Sequence, residues 1–543
     1  MYFNKKIILI SIIVLGALLR LVKLGSNPPG LYFDEMALGY NAYSIIKTGA
    51  SEQGDKWPLV YFTSFGDYKP SGYIYTLVPL VAVFGLNNAV VRLPSALGGI
   101  VMVGLVYFLC LEIFNFIKIK DKNKLALLVA GLVAISPWSI QLSRVAYEAN
   151  LAAMFNLASL LFLFKARKNF KFFLPTVIFA CLAVYTFNSF RIFTPFIFLA
   201  GFLFIFKPGQ MFYLLKKNIL IFLTAFLIGA GFAIPLYKHV NSPEGKLRFT
   251  EVNIFNNLEI VERSNQLVAE YGNTVWSKII YNRRWGYTKL FLSHFFDHFN
   301  FRFLFLEGDV NPRINSGQGQ LYWLEAPLIL FGLYALFKKK KLLFFLAVWL
   351  VLGVLPAAMA RETPHALRTV GTLPIWQIFI AFGIYQIFLF GKKAKPALFL
   401  LIVLYVFSLY GFLYNYFVVY PLKSADSWFN AFDQAVEFAF KNQNQYKKEY
   451  IQLEDRAYIA YLFYNKIEPE YFQKADKDYP DRSLLAGNAY VVKKMDQVDF
   501  YIPDNLSSGS LLIGKPEHIP PQAEVVKQFK DITGKVAFEA AKL

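Results

Sequence analysis

Long apolar runs, separated by short polar connections, fill the first 420 residues of the chain. A helix needs roughly 17–25 apolar residues to cross the hydrocarbon core of a bilayer. Runs that reach or approach this length predict eleven membrane-spanning helices, at 5–24, 89–114, 125–142, 147–165, 171–188, 190–206, 218–238, 322–337, 342–359, 367–391 and 397–418. A further run, 73–86, has only 14 residues and contains Pro79.

Six clusters of lysine and arginine alternate with these runs and indicate which connections face the cytoplasm. They lie at 5–6, 118–124, 165–171, 207–217, 338–341 and 392–395. Because cytoplasmic loops are enriched in Lys and Arg, all six should be cytoplasmic, as should the N-terminus. This holds only if 73–86 does not cross the membrane, so we predict an interfacial or re-entrant helix there.

The opposite connections then face away from the cytoplasm. The two long ones are the first external loop, 25–88, and a later loop, 239–321. Short connections at 143–147, 188–190 and 360–366 lie on the same side. Most polar residues that could carry chemistry fall in these segments. The expected location is the cytoplasmic (inner) membrane, with an active site facing the periplasm or exterior.

The C-terminal residues, 421–543, have ordinary polarity and a nearly balanced charge. Apolar residues at helical spacing predict a helix over 427–441. Short runs at 490–492 and 511–513 are typical of strands. We therefore expect a transmembrane domain over 1–420, followed by a small extracytoplasmic α/β domain.

Composition agrees with a polytopic α-helical membrane protein. Of the 543 residues, 56% are hydrophobic, against about 45–50% in soluble domains. The net charge of +20 is explained by basic cytoplasmic loops and does not indicate nucleic-acid binding. Cys110 and Cys181 both lie in apolar runs, which argues against a disulfide framework. Arg20 and Lys23 follow the first run where a cleavage site would be expected, so we predict an uncleaved span.

Two groups of charged residues in the first external loop could carry chemistry. The acidic pair Asp34-Glu35 could supply a general base toward an acceptor hydroxyl or bind a divalent cation. A structural alternative is that acidic residues simply favour the first turn of a helix. Further on, Asp67-Tyr68-Lys69 precedes the interfacial helix. Lys69 could contact a lipid phosphate, or only extend from a helix end toward the headgroups.

Further charged residues follow at the later external connections. Arg144 and Glu148 would pair if their segment were helical, while Arg144 could instead join a phosphate site. Asp309 and Arg313 lie in a polar turn of the 239–321 loop. His365 and Arg368 lie in and just beyond the 360–366 connection, which suits anion binding.

His294, Asp297 and His298 have the i, i+3, i+4 spacing of a helical metal site. Because no third strong ligand is evident, we interpret them as interfacial polar residues. An anionic lipid head group would then be met by cations elsewhere, at Lys69, Arg144, Arg313 and Arg368.

Six segments, in this order, resemble a known family. They are Pro28-Pro-Gly-Leu-Tyr-Phe-Asp-Glu35, Gly66-Asp-Tyr-Lys-Pro70, Val91-Arg-Leu-Pro-Ser-Ala-Leu97, Ser143-Arg144, Gly308-Asp-Val-Asn-Pro-Arg313 and Pro364-His-Ala-Leu-Arg368. Together they are similar to bacterial members of the protein O-mannosyltransferase and aminoarabinose-transferase superfamily, which are membrane glycosyltransferases of the GT-C fold. The resemblance covers roughly residues 1–420.

The resemblance implies a polyprenyl-phosphate sugar donor and an acceptor that is a protein, a lipid or a cell-surface glycan. It implies inversion at the anomeric carbon, with Asp34 as the base or acceptor-orienting group. Lys69 matches a residue near the donor phosphate, and Arg144 and Arg368 are looser matches. Some relatives have a glutamate directly before this lysine, where Tyr68 stands here, which leaves the role of Asp67 open.

Two chemical alternatives stay open. Some relatives use a divalent cation, Mg²⁺ or Mn²⁺, at the acidic pair, so Asp34 and Glu35 are candidate metal ligands. A retaining mechanism would need a second carboxylate as nucleophile, from Glu35 or Asp67. The inverting reading is favoured, because one base and a cationic cluster suffice for it.

Two other functions also fit a membrane protein of this kind. One is a transporter or flippase of a lipid-linked saccharide, and the other is a polysaccharide polymerase or ligase. Transporters usually place charges at the bilayer midplane and contain internal repeats. Here the polar groups cluster at one boundary and no repeat is evident, which favours a transferase.

Overall fold

The computed structural model describes residues 4–454, 456–475, 477–478 and 492–543. The chain is mainly helical, and the predicted fold class is confirmed. It divides into two compact units. The first, which we call the helical unit, comprises Met1–Leu19, Gly98–Leu142 and Ala149–Tyr410. The second, the loop unit, comprises Arg20–Leu97, Ser143–Glu148 and Gly411–Leu543.

The α-helices follow the apolar runs and the amphipathic stretches of the sequence. In chain order they are α1 (Lys5–Leu21), α2 (Phe33–Thr48), α3 (Gly72–Phe84), α4 (Asn88–Phe116), α5 (Lys122–Ile135), α6 (Pro137–Ser143), α7 (Glu148–Ala166), α8 (Phe173–Thr186), α9 (Phe190–Ile205), α10 (Pro208–Lys217), α11 (Ile219–Asn241), α12 (Pro243–Val252), α13 (Leu258–Glu270), α14 (Val275–Ile280), α15 (Arg283–Asp297), α16 (Glu325–Phe337), α17 (Lys340–Ala358), α18 (Leu373–Phe388), α19 (Lys395–Tyr414), α20 (Tyr420–Lys423), α21 (Phe432–Asn442), α22 (Ala457–Tyr464) and α23 (Pro469–Lys474).

Every predicted span contains a helix. Within the described residues, six helical stretches are long and apolar enough to cross a membrane: Asn88–Phe116, Glu148–Ala166, Ile219–Asn241, Lys340–Ala358, Val370–Phe388 and Gly391–Lys423. A seventh arises if α5 and α6, bent by 55° at their break, form one span. Pro137 explains this break, because proline disfavours helical conformation in the residue before it. The eleven crossings stay a prediction.

In the helical unit, α16 and α18 pack unusually closely. A Cβ atom at Gly332 would lie 1.8 Å from the carbonyl oxygen of Phe379, and one at Gly383 would lie 2.0 Å from that of Leu328. Only glycine lets two helix backbones approach this closely, a device common between membrane helices. Any larger residue at either position would push the two helices apart.

The loop unit combines the first external loop with a C-terminal sheet. The strands are β1 (Tyr61–Ser64), β2 (Asp67–Pro70), β3 (Glu449–Gln452), β4 (Lys477–Asp478), β5 (Lys494–Met495), β6 (Val498–Asp499), β7 (Leu511–Gly514), β8 (Glu524–Lys530) and β9 (Val536–Lys542). Strands β1 and β2 form an antiparallel hairpin in which Ser64 pairs with Asp67. The others form a mixed sheet of order β4-β5-β6-β3-β7-β9-β8, in which β3 is parallel to β6 and β7.

Helix α2 lies at the centre of this unit, with most of its residues buried. It packs against α3 from the same loop and against α22 and α23 from the C-terminal region. The C-terminal residues therefore fold around the first external loop. A domain boundary near residue 420 stays a prediction, while the predicted α/β character of 421–543 is confirmed.

The local predictions for the C-terminal region were partly right. The helix predicted over 427–441 begins only at Phe432, because Phe429 and Ala431 have positive φ angles of 52° and 74°. Trp428 instead lies in a short 3-10 turn. The strand predicted at 511–513 is confirmed in β7, whereas residues 490 and 491 lie outside the described residues. The run at 73–86 is helical, as α3, and its interfacial position stays a prediction.

Glu449 in β3 provides a test of how deeply the C-terminal sheet is buried. Its carboxyl group is fully buried and meets no hydrogen-bond partner within the described residues. Burial raises the pKa of this carboxyl to about 8. Because the folded state then holds a proton that the unfolded state releases, the free energy of unfolding should fall as pH rises through this range, by up to about 1.4 kcal/mol per pH unit.

Glu449→Gln should remove this dependence, so its melting temperature should exceed that of the wild type by a margin that grows from pH 5 to pH 8. Thermal unfolding of the full-length protein in detergent measures it. Glu437→Gln is the matched control, because Glu437 is a surface residue paired with Lys441. If the melting temperatures of Glu449→Gln and the wild type changed in parallel with pH, the raised pKa of the buried carboxyl would be refuted.

Candidate functional site

Asp34 and Lys69 form an ion pair in the predicted site. Asp34 lies in the first turn of α2, where the positive end of the helix favours a carboxylate. Lys69 lies in β2, and its Nζ contacts Oδ1 of Asp34. The two side chains are 32% and 16% exposed, respectively. The pair is therefore partly buried and is held by two elements of the fold.

Glu35, the neighbour of Asp34, points the opposite way and is fully buried. Its two oxygens accept hydrogen bonds from Nε and Nη2 of Arg92, at 2.9 and 3.0 Å. The backbone N–H of Ala146 also donates to Oε1, at 2.9 Å. Both oxygens are thus engaged, and this burial argues against the expectation that Glu35 is catalytic.

Arg92 holds more than the carboxylate. Its Nη1 donates to the carbonyl oxygens of Leu24 and Pro28, at 3.1 and 3.0 Å, and its Nη2 contacts that of Gly30. The guanidinium therefore ties down the segment that leads into α2. Sequence reasoning did not assign this residue, although the signal was present, because a charged residue inside an apolar run is costly unless it is paired.

Arg144 is also fully buried, and its role as a phosphate ligand stays a prediction. Its guanidinium donates to the carbonyl oxygens of Arg20 and Asn27, both at 3.1 Å, and lies 4.8 Å from the ring centre of Phe417. The residues between α6 and α7 form a turn and not a helix. The expected helical pairing of Arg144 with Glu148 is therefore wrong.

Two further carboxylates surround the ion pair. Glu148, the first residue of α7, is half-buried and within electrostatic range of Lys69, Asp34 and Asp67. Asp67 begins β2, and the ring of Tyr68 packs edge-on against Tyr61 at 5.4 Å. The site around Lys69 thus contains more negative than positive groups.

A second predicted cluster lies within the helical unit. Oδ2 of Asp309 accepts the backbone N–H of Ala366 at 2.7 Å and lies 3.8 Å from Nδ1 of His365. Nε2 of His298 accepts the backbone N–H of His365 at 3.1 Å. Asp309 also accepts the N–H of Asn311. These bonds connect the polar turn of the 239–321 loop to the 360–366 connection.

The histidines of this cluster are neutral near pH 7. Burial lowers the pKa of His298 to about 4. Burial, with the nearby charge of Arg368, also lowers the pKa of His365 well below its usual value. Burial raises the pKa of Asp309. The positive charge available here therefore comes from arginine, since Arg368 and Arg313 are both half-exposed.

The predicted site residues thus fall into two groups. Asp34, Glu35, Asp67, Tyr68, Lys69, Arg144 and Glu148 belong to the loop unit, while Asp309, Arg313, His365 and Arg368 belong to the helical unit. Within these groups, the contacts described above join Asp34 to Lys69 and Asp309 to His365.

The acidic pair does not form a ready metal site. Glu35 is bound to Arg92, and the Asp34 carboxylate is bound to Lys69. In the described ranges no group of three or more His, Cys, Asp or Glu residues could hold a metal ion. Of the spaced residues in α15, Asp297 accepts the hydroxyl of Thr363, and His294 bonds to the carbonyl oxygen of Ala360.

Comparison with solved structures decides the fold. Apo ArnT from Cupriavidus metallidurans matches with a TM-score of 0.55 and 11% identity, over 98% of this chain and 97% of that one. The same protein bound to undecaprenyl phosphate matches equally well, at 12% identity and the same coverage. The chain has a GT-C fold. Because nearly the whole of both chains aligns, the GT-C match includes the C-terminal sheet as well as the helices.

Other comparisons add less. An Archaeoglobus fulgidus oligosaccharyltransferase complex with Zn and sulfate matches at a TM-score of 0.48 and 16% identity, over 84% of this chain and 61% of that one. No protein-family profile matches the sequence, and no curated protein is significantly similar to it.

The buried ion pair predicts how the site responds to substitution. Glu35→Ala or Arg92→Ala should each cost about 3–5 kcal/mol of stability, because either leaves a buried charge unpaired. Asp34→Asn should cost at most about 1 kcal/mol, because that pair is partly hydrated. Thermal unfolding in detergent measures the stability of the three single variants and of the double variant Glu35→Ala/Arg92→Ala. If the double variant lost the sum of the stability lost by its two single variants, Glu35 and Arg92 would not interact directly.

Proposed function

We propose that this protein transfers a sugar from a polyprenyl-phosphate donor to a hydroxyl acceptor on the non-cytoplasmic side of the cytoplasmic membrane. The observation that carries the proposal is the Asp34–Lys69 pair, a partly exposed carboxylate and ammonium group. Asp34 is next in the chain to the fully buried Glu35–Arg92 ion pair. Reactive groups must be held rigidly to catalyse group transfer, and this pair is held by α2 and the β1–β2 hairpin.

The proposed reaction separates the Asp34–Lys69 contact: the sugar enters between the two side chains, so that the carboxylate faces the acceptor and the ammonium group faces the departing phosphate. The acceptor oxygen attacks the anomeric carbon while its proton passes to the Asp34 carboxylate. The bond from the anomeric carbon to the phosphate oxygen breaks, and polyprenyl phosphate leaves with an additional negative charge. Lys69 stabilises this charge, which frees Asp34 to act as a base as the reaction proceeds. The configuration at the anomeric carbon is inverted.

A lipid-phosphate donor is supported by the fold. ArnT, which shares it, has been solved bound to undecaprenyl phosphate. Arg313 and Arg368 are proposed as phosphate-binding cations of the helical unit, because both are half-exposed. Asp67 and Glu148 are proposed to orient the acceptor. Glu35 and Arg144 are proposed to position the other residues, since both are fully buried.

Asp34→Asn tests the proposed base. Membranes containing the protein are supplied with a labelled polyprenyl-phosphate sugar, and transfer to endogenous acceptors is measured. The substitution keeps the shape of the side chain but removes its basicity, so the rate should fall about 10²- to 10⁴-fold. Asp55→Asn, on the surface of the same loop, is the matched control and should keep the wild-type rate. Full activity of Asp34→Asn would exclude it as the base.

Lys69→Met tests the proposed phosphate contact. Loss of a charge-assisted bond should weaken donor binding by about ten- to a hundredfold, whereas Lys69→Arg should recover part of it. Steady-state transfer rates at varied donor concentration give kcat and the KM for the donor. If the labelled lipid crossed the membrane without any glycosidic bond being formed, the protein would instead be a flippase.

A further inference from the structure

Phe65 occupies a strained position at the turn of the β1–β2 hairpin. Its φ angle is 55°, and that of Gly66 is 80°. A bulky residue rarely adopts this left-handed conformation, so the surrounding packing must hold it there. The ring is only 4% exposed. It packs edge-on against Phe33, the residue before Asp34, at 6.3 Å, and against Tyr458 of α22 at 6.0 Å.

Two cations share this ring. Nζ of Lys69 lies 5.8 Å from its centre, and Cζ of Arg456 lies 4.5 Å from it. Both distances are those of cation–π contacts. Arg456 comes from the C-terminal region, directly before α22, and contacts the same aromatic ring as Lys69.

The cation–π contact stabilises Arg456 on the ring of Phe65 but does not neutralise its charge. A cation next to the positive N-terminal end of a helix is electrostatically unfavourable. Throughout the described ranges, no hydrogen bond or ion pair engages its guanidinium, whose five N–H donors suit bidentate binding of an oxyanion. The side chain is half-buried, so its donors can reach a ligand in the site.

The charge around Lys69 requires a second cation. Glu148 lies within electrostatic range of Asp34, Asp67 and Lys69. A phosphate entering such a site would be repelled by the ionised carboxylates if Lys69 were its only counter-charge. Arg456 supplies the missing positive charge on the same aromatic ring.

We propose that Arg456 and Lys69 form a two-cation clamp over Phe65 that binds the phosphate of a polyprenyl lipid. Arg456 provides two parallel N–H···O bonds and Lys69 a point charge. This deepens the proposed function and rests on it. It also gives the C-terminal region a direct part in substrate binding, as the supplier of one half of the phosphate site.

The test measures binding and transfer separately. Full-length protein in lipid nanodiscs is titrated with undecaprenyl phosphate, which carries no sugar, and with inorganic phosphate. Arg456→Gln should raise the Kd for undecaprenyl phosphate about ten- to a hundredfold. Arg456→Lys should lie between this variant and the wild type, because it keeps the charge and loses the bidentate geometry. In transfer assays Arg456→Gln should raise the donor KM and also lower kcat, because the phosphate gains negative charge as the sugar leaves.

Lys527→Gln is the matched control. Lys527 also lies over an aromatic ring, that of Phe438 at 4.8 Å, in the same C-terminal region. Losing a cation–π contact alone should leave the Kd unchanged there. If Arg456→Gln unfolds, as judged by its melting temperature, Arg456→Lys decides the question.

The outcomes separate the two proposals. Wild-type protein that neither binds undecaprenyl phosphate nor transfers sugar would refute the proposed function. Wild-type protein that does both, while Arg456→Gln and Arg456→Lys bind as tightly, would overturn the clamp alone. Equal weakening by Arg456→Gln and Lys527→Gln would overturn it too. Inorganic phosphate that binds as tightly as undecaprenyl phosphate, with the same loss in Arg456→Gln, would assign the clamp to free phosphate, because the lipid chain would then add nothing to binding.

Discussion

The buried ion pair between Glu35 and Arg92 is the interaction on which the candidate site depends. Taking two charges out of water costs several kcal/mol per ion, and only dense hydrogen bonding offsets that cost. Here the backbone carbonyls of the segment before α2 and the N–H of Ala146 supply those bonds. The result is that Asp34, one residue along, is fixed in space while its own carboxylate remains accessible.

The same unit joins parts of the chain that are far apart in sequence. The ring of Phe33 stacks on that of Phe429 at 4.2 Å, and the hydroxyl of Tyr40 donates to the carbonyl oxygen of Ile467 at 2.9 Å. The first external loop therefore has no independent core. Its reactive face is shaped by α22 and α23 as much as by its own hairpin, which is why a C-terminal arginine can reach the ring beneath Lys69.

The sequence was sufficient to predict what depends on local patterns. Apolar runs placed a helix at each predicted span, and the motif order brought Asp34 and Lys69 into one site. It could not show that Glu35 points inward, because both directions suit a first helical turn. Arg92 and Arg456 were missed, since their partners lie far away along the chain. The Arg144–Glu148 pairing failed because a turn replaces the helix that this spacing requires.

The division of the loop unit between Arg20–Leu97 and Gly411–Leu543 also bears on how the protein is made. A ribosome adds about 5–20 residues per second, so tens of seconds separate the emergence of α2 from that of the helices that cover it. During that interval, the part of α2 that packs against α22 and α23 in the finished fold is uncovered. Biogenesis must therefore shield the first loop until translation is nearly over. A prematurely terminated chain would present this bare surface to quality-control proteases.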